Sequence, residues 1–373
     1  MKKKMLYISV YDPHVPYTGA GSRGGEFVTN LAKTFDVDLI YLEGSGHAGD
    51  LTLEDKFEWR VKGVGKKLKL PFSLRNYFIF SKQMLLEAES FISQKKYNVI
   101  LCDYGLSAIY GLKLKKKYDI PFVYCSHNLE FRQYLGKAKK DKRRYVLVPW
   151  VYRAEKDGVQ KCDLLVPISE EDADYYTRWT NRDKMHVVPQ CFNEEIFNPF
   201  YEPPHNNPKI VLFFGNYNIS TNRDAVYAAR DKVVDQVVAK YPDVKFQFIG
   251  ANPPTDIQHP NMEFLGFVDS IADYVKNCDV MISPILDGWG MPTKIIESLA
   301  CGKPIVATET ASRAVPKKYK TLKVVDINDF ADAVVEALKE NNPVDDCDFE
   351  LLKQEFIWAG AINKLAERIE QIL

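Results

Sequence analysis

The sequence predicts an α/β protein made of two doubly wound domains with parallel sheets. Its 373 residues are too many for one compact core. Short apolar, β-branched runs alternate with segments of helical period along the chain, which is typical of strands buried on both faces of a parallel sheet. The alternation starts twice, so we expect one domain over 1–190 and a second over 207–354.

Each domain has its own set of predicted strands. In the first they are MLYISVY, VDLIYL, YNVILCDY, PFVYCSH, DLLVPIS and MHVVPQ. In the second they are PKIVLFFGN, DVKFQFIGAN, MEFLGF, CDVMISPI, KPIVATE and TLKVVD. Helical patterns lie between them, including GGEFVTNLAKTF and segment 78–96, and prolines and asparagines mark the break near 189–208. Ligands bind beyond the carboxyl ends of such strands, so a cleft between two facing sheets is the expected site.

Composition excludes several classes of protein. The apolar and charged fractions, 46% and 27%, are those of a soluble globular chain. The apolar run at the N-terminus is about seven residues, too short for a signal peptide, and no stretch reaches the roughly 18 apolar residues of a membrane span. Seven scattered cysteines predict reduced thiols in the cytoplasm. DVD at 36–38 starts a strand and DAD at 172–174 lies in a helix, so we expect no metal and no cofactor.

Charge divides the chain unequally. Residues 1–160 hold 28 Lys and Arg against 17 Asp and Glu, whereas the remainder holds 22 against 33. This asymmetry suggests two units with different roles. Segments 60–78 and 136–150 mix cations with aromatic residues and leucines. They are compatible with ordinary solvated surface and equally with a patch for anionic lipid. No nucleic-acid-binding motif accompanies them, so we expect no nucleic-acid partner.

Segment 288–308, GWGMPTKIIESLACGKPIVAT, carries the clearest site signal. A glycine-rich loop leads into a helix expected over about 294–301, with Thr293 as its cap and Gly302 at its end. A helix N-terminus favours anions, and the glycines let a phosphate approach the backbone. Lys294 adds positive charge, and Glu297 can accept hydrogen bonds from sugar hydroxyls. An ordinary strand–helix connection with a solvated Lys–Glu pair explains the same residues equally well.

Two further features lie where ligands are expected in the first domain. His127 follows a predicted strand, where a functional histidine is favoured over a structural one. Gly19, Gly21 and Arg23 lie where the first strand meets its helix. Their spacing does not match the dinucleotide-binding glycine pattern, so that interpretation is a poor second.

GMPTKIIESLACGKPIVAT resembles the donor-site element of family-4-type retaining glycosyltransferases of the GT-B fold. The resemblance covers nearly the whole chain and implies two Rossmann-like domains facing a central cleft, with a final helix, 355–373, crossing back to the first domain. The other segments that resemble the family, in the right order, are PYTGAGSRGGEFVTNLAK, YCSHNLE, LLVPISEED, HVVPQCFNEEIFNP, FFGNYNISTNRDAVYAA, FQFIGANPP, FLGFVDSIADYV and FIWAGAINKLAERIEQIL.

The resemblance implies transfer of a hexose from a nucleotide diphosphate sugar to a glycan or lipid-linked acceptor, in cell-surface polysaccharide or glycolipid synthesis. His127 and Glu297 would be the catalytic pair, on the sugar and the ribose, and Lys294 with Arg223 would hold the diphosphate. The leaving diphosphate can take the acceptor proton, so no enzyme base is required. The other implied contacts are Gly215, Asn216, Gly266, Phe267, Val268, Gly290, Met291, Pro292 and Thr293 for the donor, with Gly19, Gly21 and Arg23 near the donor phosphate and acceptor.

Two positions depart from the family pattern. Trp289 stands where an acidic residue is usual, with Asp287 two residues away, and Asn216 stands where a cation is usual. They keep open a second hypothesis, a non-catalytic GT-B protein that binds a nucleotide sugar or glycan as a regulator or assembly partner. A nucleotide-sugar epimerase on the same fold is a third. We expect a cytoplasmic protein that lies at the inner face of the membrane if the basic segments bind lipid.

Overall fold

The chain divides into two compact units in the computed structural model, which describes residues 2–13, 19–42, 61–64, 81–199, 207–288, 293–313, 315–339 and 346–373. Unit 1 comprises Met1–Pro189 and Trp358–Leu373, and unit 2 comprises Gln190–Ile357. Each contains a six-stranded sheet in which every paired neighbour is parallel. The predicted fold class, two parallel-sheet α/β domains, is confirmed.

Unit 1 is built on strands that are almost completely buried. Five of the six residues of the first strand are buried, because helices cover both faces of the sheet. The sheet order is β3-β2-β1-β4-β5-β6. The strands are β1 (Lys4–Ser9), β2 (Asp36–Leu42), β3 (Val61–Val64), β4 (Val99–Asp103), β5 (Phe122–Cys125) and β6 (Leu164–Val166). The helices are α1 (Gly19–Thr34), α2 (Lys82–Gln94), α3 (Ala108–Tyr118), α4 (Glu130–Lys140), α5 (Val148–Lys161) and α6 (Glu170–Tyr176).

Unit 2 repeats this topology with the sheet order β12-β11-β10-β7-β8-β9. Buried clusters lie on both faces, one containing Val226 and Val334 and the other Leu212 and Leu299, as in a doubly wound domain. The strands are β7 (Ile210–Phe214), β8 (Lys245–Ile249), β9 (Met262–Gly266), β10 (Val280–Ser283), β11 (Ile305–Ala307) and β12 (Leu322–Val324). The helices are α7 (Ser220–Ala229), α8 (Asp235–Val238), α9 (Ile271–Asn277), α10 (Thr293–Ala300), α11 (Glu309–Ser312), α12 (Phe330–Lys339) and α13 (Asp346–Phe356).

The last helix of the chain, α14 (Trp358–Glu370), packs in unit 1 against α1, where the Phe27 and Trp358 rings lie 6.0 Å apart. The sequence predicted one terminal helix, but α13 and α14 are separated at Ile357, which forms a β-bridge with Phe192 in unit 2.

In each unit the strand order reverses at one place. This topological switch point, where α/β sheets bind their ligands, lies between β1 and β4 in unit 1 and between β7 and β10 in unit 2.

One predicted strand is wrong. MHVVPQ forms no strand, although it runs beside β6: the amide of His186 donates to Leu165 and that of Val188 to Pro167. Only the bridge between Leu165 and Met185 remains, because Pro167 and Pro189 have no amide hydrogen with which to continue a ladder. Helix α1 also begins earlier than its apolar pattern, at Gly19 rather than Gly24.

Candidate functional site

His127 and Asp103 form a buried pair at the carboxyl edge of the unit 1 sheet. Strand β4 ends at Asp103, whose register partner Cys125 ends β5, so His127 follows two residues beyond the same edge. The Nε2 atom of His127 lies 2.7 Å from Oδ1 of Asp103, and the exposed fractions of the two residues are 4% and 1%. An ionised carboxylate only accepts hydrogen bonds, so Nε2 carries the proton and Nδ1 is left as an acceptor.

The electrostatic surroundings keep His127 neutral. Burial lowers its pKa, and the charge and hydrogen bond of Asp103 oppose that shift without cancelling it. The Tyr104 ring packs edge-on against the imidazole at a centroid distance of 4.9 Å, and Tyr11 packs against Tyr104 at 5.3 Å. Tyr104 has φ = 67°, a left-handed conformation that a bulky residue adopts only where its surroundings require it. The structure therefore fixes the histidine from both sides.

Arg23 lies in a different environment from the one predicted for it. Its side chain is fully buried in unit 1, and its Nη1 and Nη2 atoms each donate a 2.7 Å hydrogen bond, to the carbonyls of Pro189 and Val188. The guanidinium also stacks 4.6 Å from the centroid of Phe27 and 5.7 Å from that of Trp358. These contacts join α1, the end of the 185–189 segment and α14, so Arg23 has a structural role.

Lys294 and Asn222 meet at the switch point of unit 2. Asn222 lies on α7, which follows β7, and Lys294 is the second residue of α10, which follows β10. The Nζ atom of Lys294 donates to Oδ1 of Asn222 at 2.8 Å and lies 4.2 Å from the centroid of the Phe213 ring. An ammonium group is thereby held at the carboxyl edge of the sheet.

Asn222 also fixes the loop after β7. Its Nδ2 atom donates to the carbonyl of Asn216 at 3.0 Å, while Oδ1 of Asn216 accepts from the amide of Asn218. A Cβ atom at Gly215 would lie 2.7 Å from that Nδ2, so a larger residue there would displace the Asn222 side chain. Asn216, predicted as a donor contact, thus uses its side-chain oxygen within its own turn.

Two other glycines shape the neighbouring strand ends. A Cβ atom at Gly250 would lie 1.9 Å from the carbonyl oxygen of Gly215. The Gly250 amide donates to the carbonyl of Gly266, which has φ = 71°. The backbones at the ends of β7, β8 and β9 are therefore in direct contact, with no side chain between them.

Glu297 lies one turn after Lys294 on α10, and both side chains are half-buried. Burial lowers the pKa of Lys294 to about 7 and raises the pKa of Glu297 to about 8, each opposed by the charge of the other. No hydrogen bond joins the Glu297 carboxylate to another residue that the structure describes. Two displaced pKa values in one turn of helix, at the carboxyl edge of the sheet, mark a candidate functional site.

The remaining predicted donor contacts fall in three groups. Arg223 is exposed on α7, Phe267 is 53% exposed and Val268 is half-buried after β9. Thr293 is the first residue of α10 rather than a cap before it. Gly290, Met291 and Pro292, with Trp289, lie outside the described residues, as does most of 60–78; Gly19 and Gly21 are described only as backbone in the first turn of α1.

Two site residues carry no motif that marks them. Asn222 stands beside Arg223, the residue that the sequence favoured, and only its hydrogen bonds reveal its role. Asp103 ends a predicted strand, and a carboxylate at that position is the one signal that could have paired it with His127.

Solved structures with the same two-unit fold identify the fold of this chain. Sucrose-phosphate synthase from Thermosynechococcus elongatus is similar with a TM-score of 0.76 and 16% identity, covering 99% of both chains. The HepE protein of Anabaena, solved in complex with UDP-glucose, gives a TM-score of 0.69 and 13% identity over 99% of both chains. The fold is that of the GT-B glycosyltransferases.

Family models match both units. Glycosyltransferase Family 4 matches residues 17–195, and Glycosyl transferases group 1 matches residues 208–340. The chain belongs to these glycosyltransferases, with a family 4 domain followed by a group 1 domain. A phosphatidyl-myo-inositol mannosyltransferase of Mycolicibacterium smegmatis (strain ATCC 700084 / mc(2)155) is 26% identical over 172 residues, which is 44% of this chain and 41% of that relative.

The described part of the chain contains neither a membrane-spanning helix nor a metal-binding cluster. None of its helices is long and apolar enough to span a membrane. None of its groups of histidine, cysteine and acidic side chains could hold a metal ion.

Proposed function

We propose that this glycosyltransferase is a retaining enzyme that transfers a hexose from a nucleotide diphosphate sugar to a glycan or lipid-linked acceptor. The observation that carries the proposal is the cluster of Gly215, Asn222, Lys294 and Glu297 at the switch point of unit 2, where α/β sheets bind nucleotides. The relatives support it: HepE is solved with UDP and UDP-glucose, and the mycobacterial protein is a mannosyltransferase.

The diphosphate is assigned to the start of α10. The first N–H groups of a helix and the positive end of its dipole favour phosphate, and Lys294 adds an ammonium group that Asn222 and Phe213 orient. Arg223, exposed on α7, supplies a second cation. As the bond to the sugar breaks, negative charge grows on the leaving phosphate, and these groups stabilise it.

The ribose is assigned to Glu297 and the base to the backbone of 266–268. The Glu297 side chain makes no hydrogen bond to a described residue, and in its ionised form it can accept from two vicinal hydroxyls. The exposed Phe267 offers an apolar surface beside the Gly266 backbone. His127 is assigned to the sugar, with Nδ1 as the acceptor for a hydroxyl. No described group is required as a base, since the leaving diphosphate takes the acceptor proton on the same face.

The acceptor in this proposal is a glycan or a lipid-linked molecule, in polysaccharide or glycolipid synthesis. A peripheral location at the inner face of the membrane is supported by 136–150, where Lys142 and Arg143 are exposed beside Tyr145 and Val146, which are 45% and 74% exposed. Cations next to exposed apolar side chains fit an anionic lipid surface.

A second candidate is a non-catalytic protein that binds a nucleotide sugar as a regulator. It is favoured by Asn216, whose side chain turns back to the amide of Asn218 and adds no charge to the phosphate site. Slow hydrolysis of the donor in the absence of acceptor separates the two candidates, because a transferase activates water weakly and a binder does not.

The test is a thermal-shift panel of UDP, GDP, ADP and CMP with their sugar conjugates, with and without magnesium. One nucleotide class should raise the melting temperature without metal and then be hydrolysed slowly as its sugar conjugate. Lys294→Ala and Glu297→Ala should each lower turnover at least about tenfold, while Lys240→Ala, at an exposed position of unit 2, should not. Near-normal turnover in both site variants contradicts the assigned site.

A further inference from the structure

The loop that carries His127 leads into a helix without a cap of its own. Helix α4 begins at Glu130, and the preceding residue is Leu129, whose side chain cannot accept a hydrogen bond. The first amides of a helix have no partner within it and need an acceptor from elsewhere. In this protein the acceptor comes from another helix.

Glu155, on α5, supplies that acceptor. Its carboxylate is fully buried, with Oε1 2.8 Å from the amide of Glu130 and Oε2 2.9 Å from the amide of Phe131. Both oxygens of one carboxylate are therefore bound to the first turn of α4, three and four residues after His127. A buried carboxylate that is fully engaged by N–H donors fixes backbone more firmly than a side chain on the surface.

Tyr176, on α6, extends the contact to the other side of His127. Its hydroxyl donates to Oε1 of Glu155 at 2.9 Å and lies 2.7 Å from Oγ of Ser126. The Ser126 hydroxyl can donate to Tyr176 or to the carbonyl of Asn128 at 2.8 Å. The residues before and after His127 are thus tied to one buried carboxylate.

We infer that Glu155, acting through Tyr176 and the first turn of α4, is a positioning residue that holds the His127 loop for sugar transfer. Asp103 orients the imidazole ring, and Glu155 fixes the backbone that carries it. The inference rests on the proposed function only in assigning His127 to the sugar; the hold on the loop is independent of what His127 contacts.

Glu155→Gln is the informative change, because it keeps the volume and replaces one acceptor oxygen by an NH₂ donor that faces an amide. Burial raises the pKa of Glu155 to about 7, opposed by hydrogen bonds from Phe131, Tyr176 and Glu130. Measurements are therefore made at pH 8, where the carboxylate is charged. Tyr176→Phe removes the hydroxyl that links Glu155 to Ser126, and leaves the two amide contacts of Glu155 in place. Glu367→Gln, at an exposed position of unit 1, and Tyr274→Phe, at an exposed position of unit 2, are the matched controls.

The first readout does not depend on activity. In Glu155→Gln, hydrogen exchange at the amides of Glu130 and Phe131 should rise at least about tenfold. The ring pKa of His127, followed by NMR, should move from its lowered position toward the ordinary value as the loop admits water. Tyr176→Phe should show a smaller change in both, and the controls should show none.

The second readout is kinetic. With the nucleotide sugar that the panel identifies, kcat should fall about tenfold in Glu155→Gln while the donor KM changes less than threefold, since the nucleotide contacts lie in unit 2. Unchanged exchange and an unchanged His127 pKa in a folded variant overturn the inference. Faster hydrogen exchange at the Glu130 and Phe131 amides together with an unaltered kcat also overturns the inference. If the unaltered protein turns over no donor, the proposed function fails, and the exchange and pKa measurements still decide whether Glu155 holds the loop.

Discussion

Lys294 and Asn222 are joined by a hydrogen bond of 2.8 Å between Nζ and Oδ1, which connects the helix after β10 to the helix after β7. Asn222 holds the Asn216 carbonyl with its other side-chain atom. One amide therefore orients the ammonium group and the backbone of the facing loop. The position of the cation depends on how closely these two segments approach.

Gly215→Ala should weaken nucleotide binding. The new methyl group would lie 2.7 Å from Nδ2 of Asn222, so that side chain must move, and with it the hydrogen bond to Lys294. Overpacking of this kind costs about 1–3 kcal/mol, and we expect the nucleotide Kd to rise roughly tenfold. Isothermal titration measures it. Gly360→Ala is the matched control, because a Cβ atom there meets nothing within 4 Å; equal affinity in both variants contradicts the geometry.

Nucleotide diphosphate binding should take up protons at Lys294. Burial lowers its pKa to about 7, so at pH 8 most of these side chains are neutral, and a bound diphosphate favours the charged form. Diphosphate affinity should therefore fall as the pH rises through 7. Glu297, with its pKa raised to about 8, releases a proton when it ionises on binding the ribose, which opposes the uptake.

The two proton changes can be separated by calorimetry. In Glu297→Gln at pH 8, the binding enthalpy should depend on the ionisation enthalpy of the buffer, with a sign that corresponds to uptake. In the double variant with Lys294→Arg the dependence should vanish, since arginine is always charged. A buffer-independent enthalpy in Glu297→Gln means that Lys294 does not meet the phosphate.

Asp103→Asn should lower kcat without unfolding the protein. The change removes the charge that fixes the Nε2–H tautomer of His127 and that opposes the lowering of its pKa, so the imidazole becomes less basic and less well oriented. We expect kcat to fall by at least about tenfold. Nitrogen chemical shifts of the imidazole report the tautomer directly. Asp119→Asn, at an exposed left-handed position of unit 1, is the control and should leave the tautomer and kcat unchanged. An unaltered tautomer with normal kcat in Asp103→Asn would contradict the role of Asp103 in orienting His127.

The sequence predicted the fold because its signal is local. Eleven of the twelve predicted apolar runs contain a strand, since a strand buried on both faces needs apolar side chains whatever surrounds it. MHVVPQ was the exception. Its apolar side chains pack against the edge of the sheet, but Pro189 within it and Pro167 beside it prevent strand pairing. The contacts of Asn222, Asp103 and Glu155 were not predicted, because they depend on residues that are not neighbours in the sequence. Each is a polar residue whose partner lies far along the chain, and no pattern of spacing encodes that distance.

Arg23→Met should destabilise unit 1 and leave nucleotide affinity unchanged. Methionine retains part of the packing against Phe27 and Trp358, but the carbonyls of Val188 and Pro189 lose both of their 2.7 Å donors in a buried place. Losing such partners costs about 2–4 kcal/mol, which lowers the melting temperature by on the order of 10 °C. Differential scanning calorimetry measures the loss. Arg153, whose side chain is 86% exposed, is the control, and Arg153→Met should melt at the same temperature as the unaltered protein. If Arg23→Met instead melts normally and binds nucleotide weakly, the guanidinium serves the donor phosphate and its buried contacts are secondary.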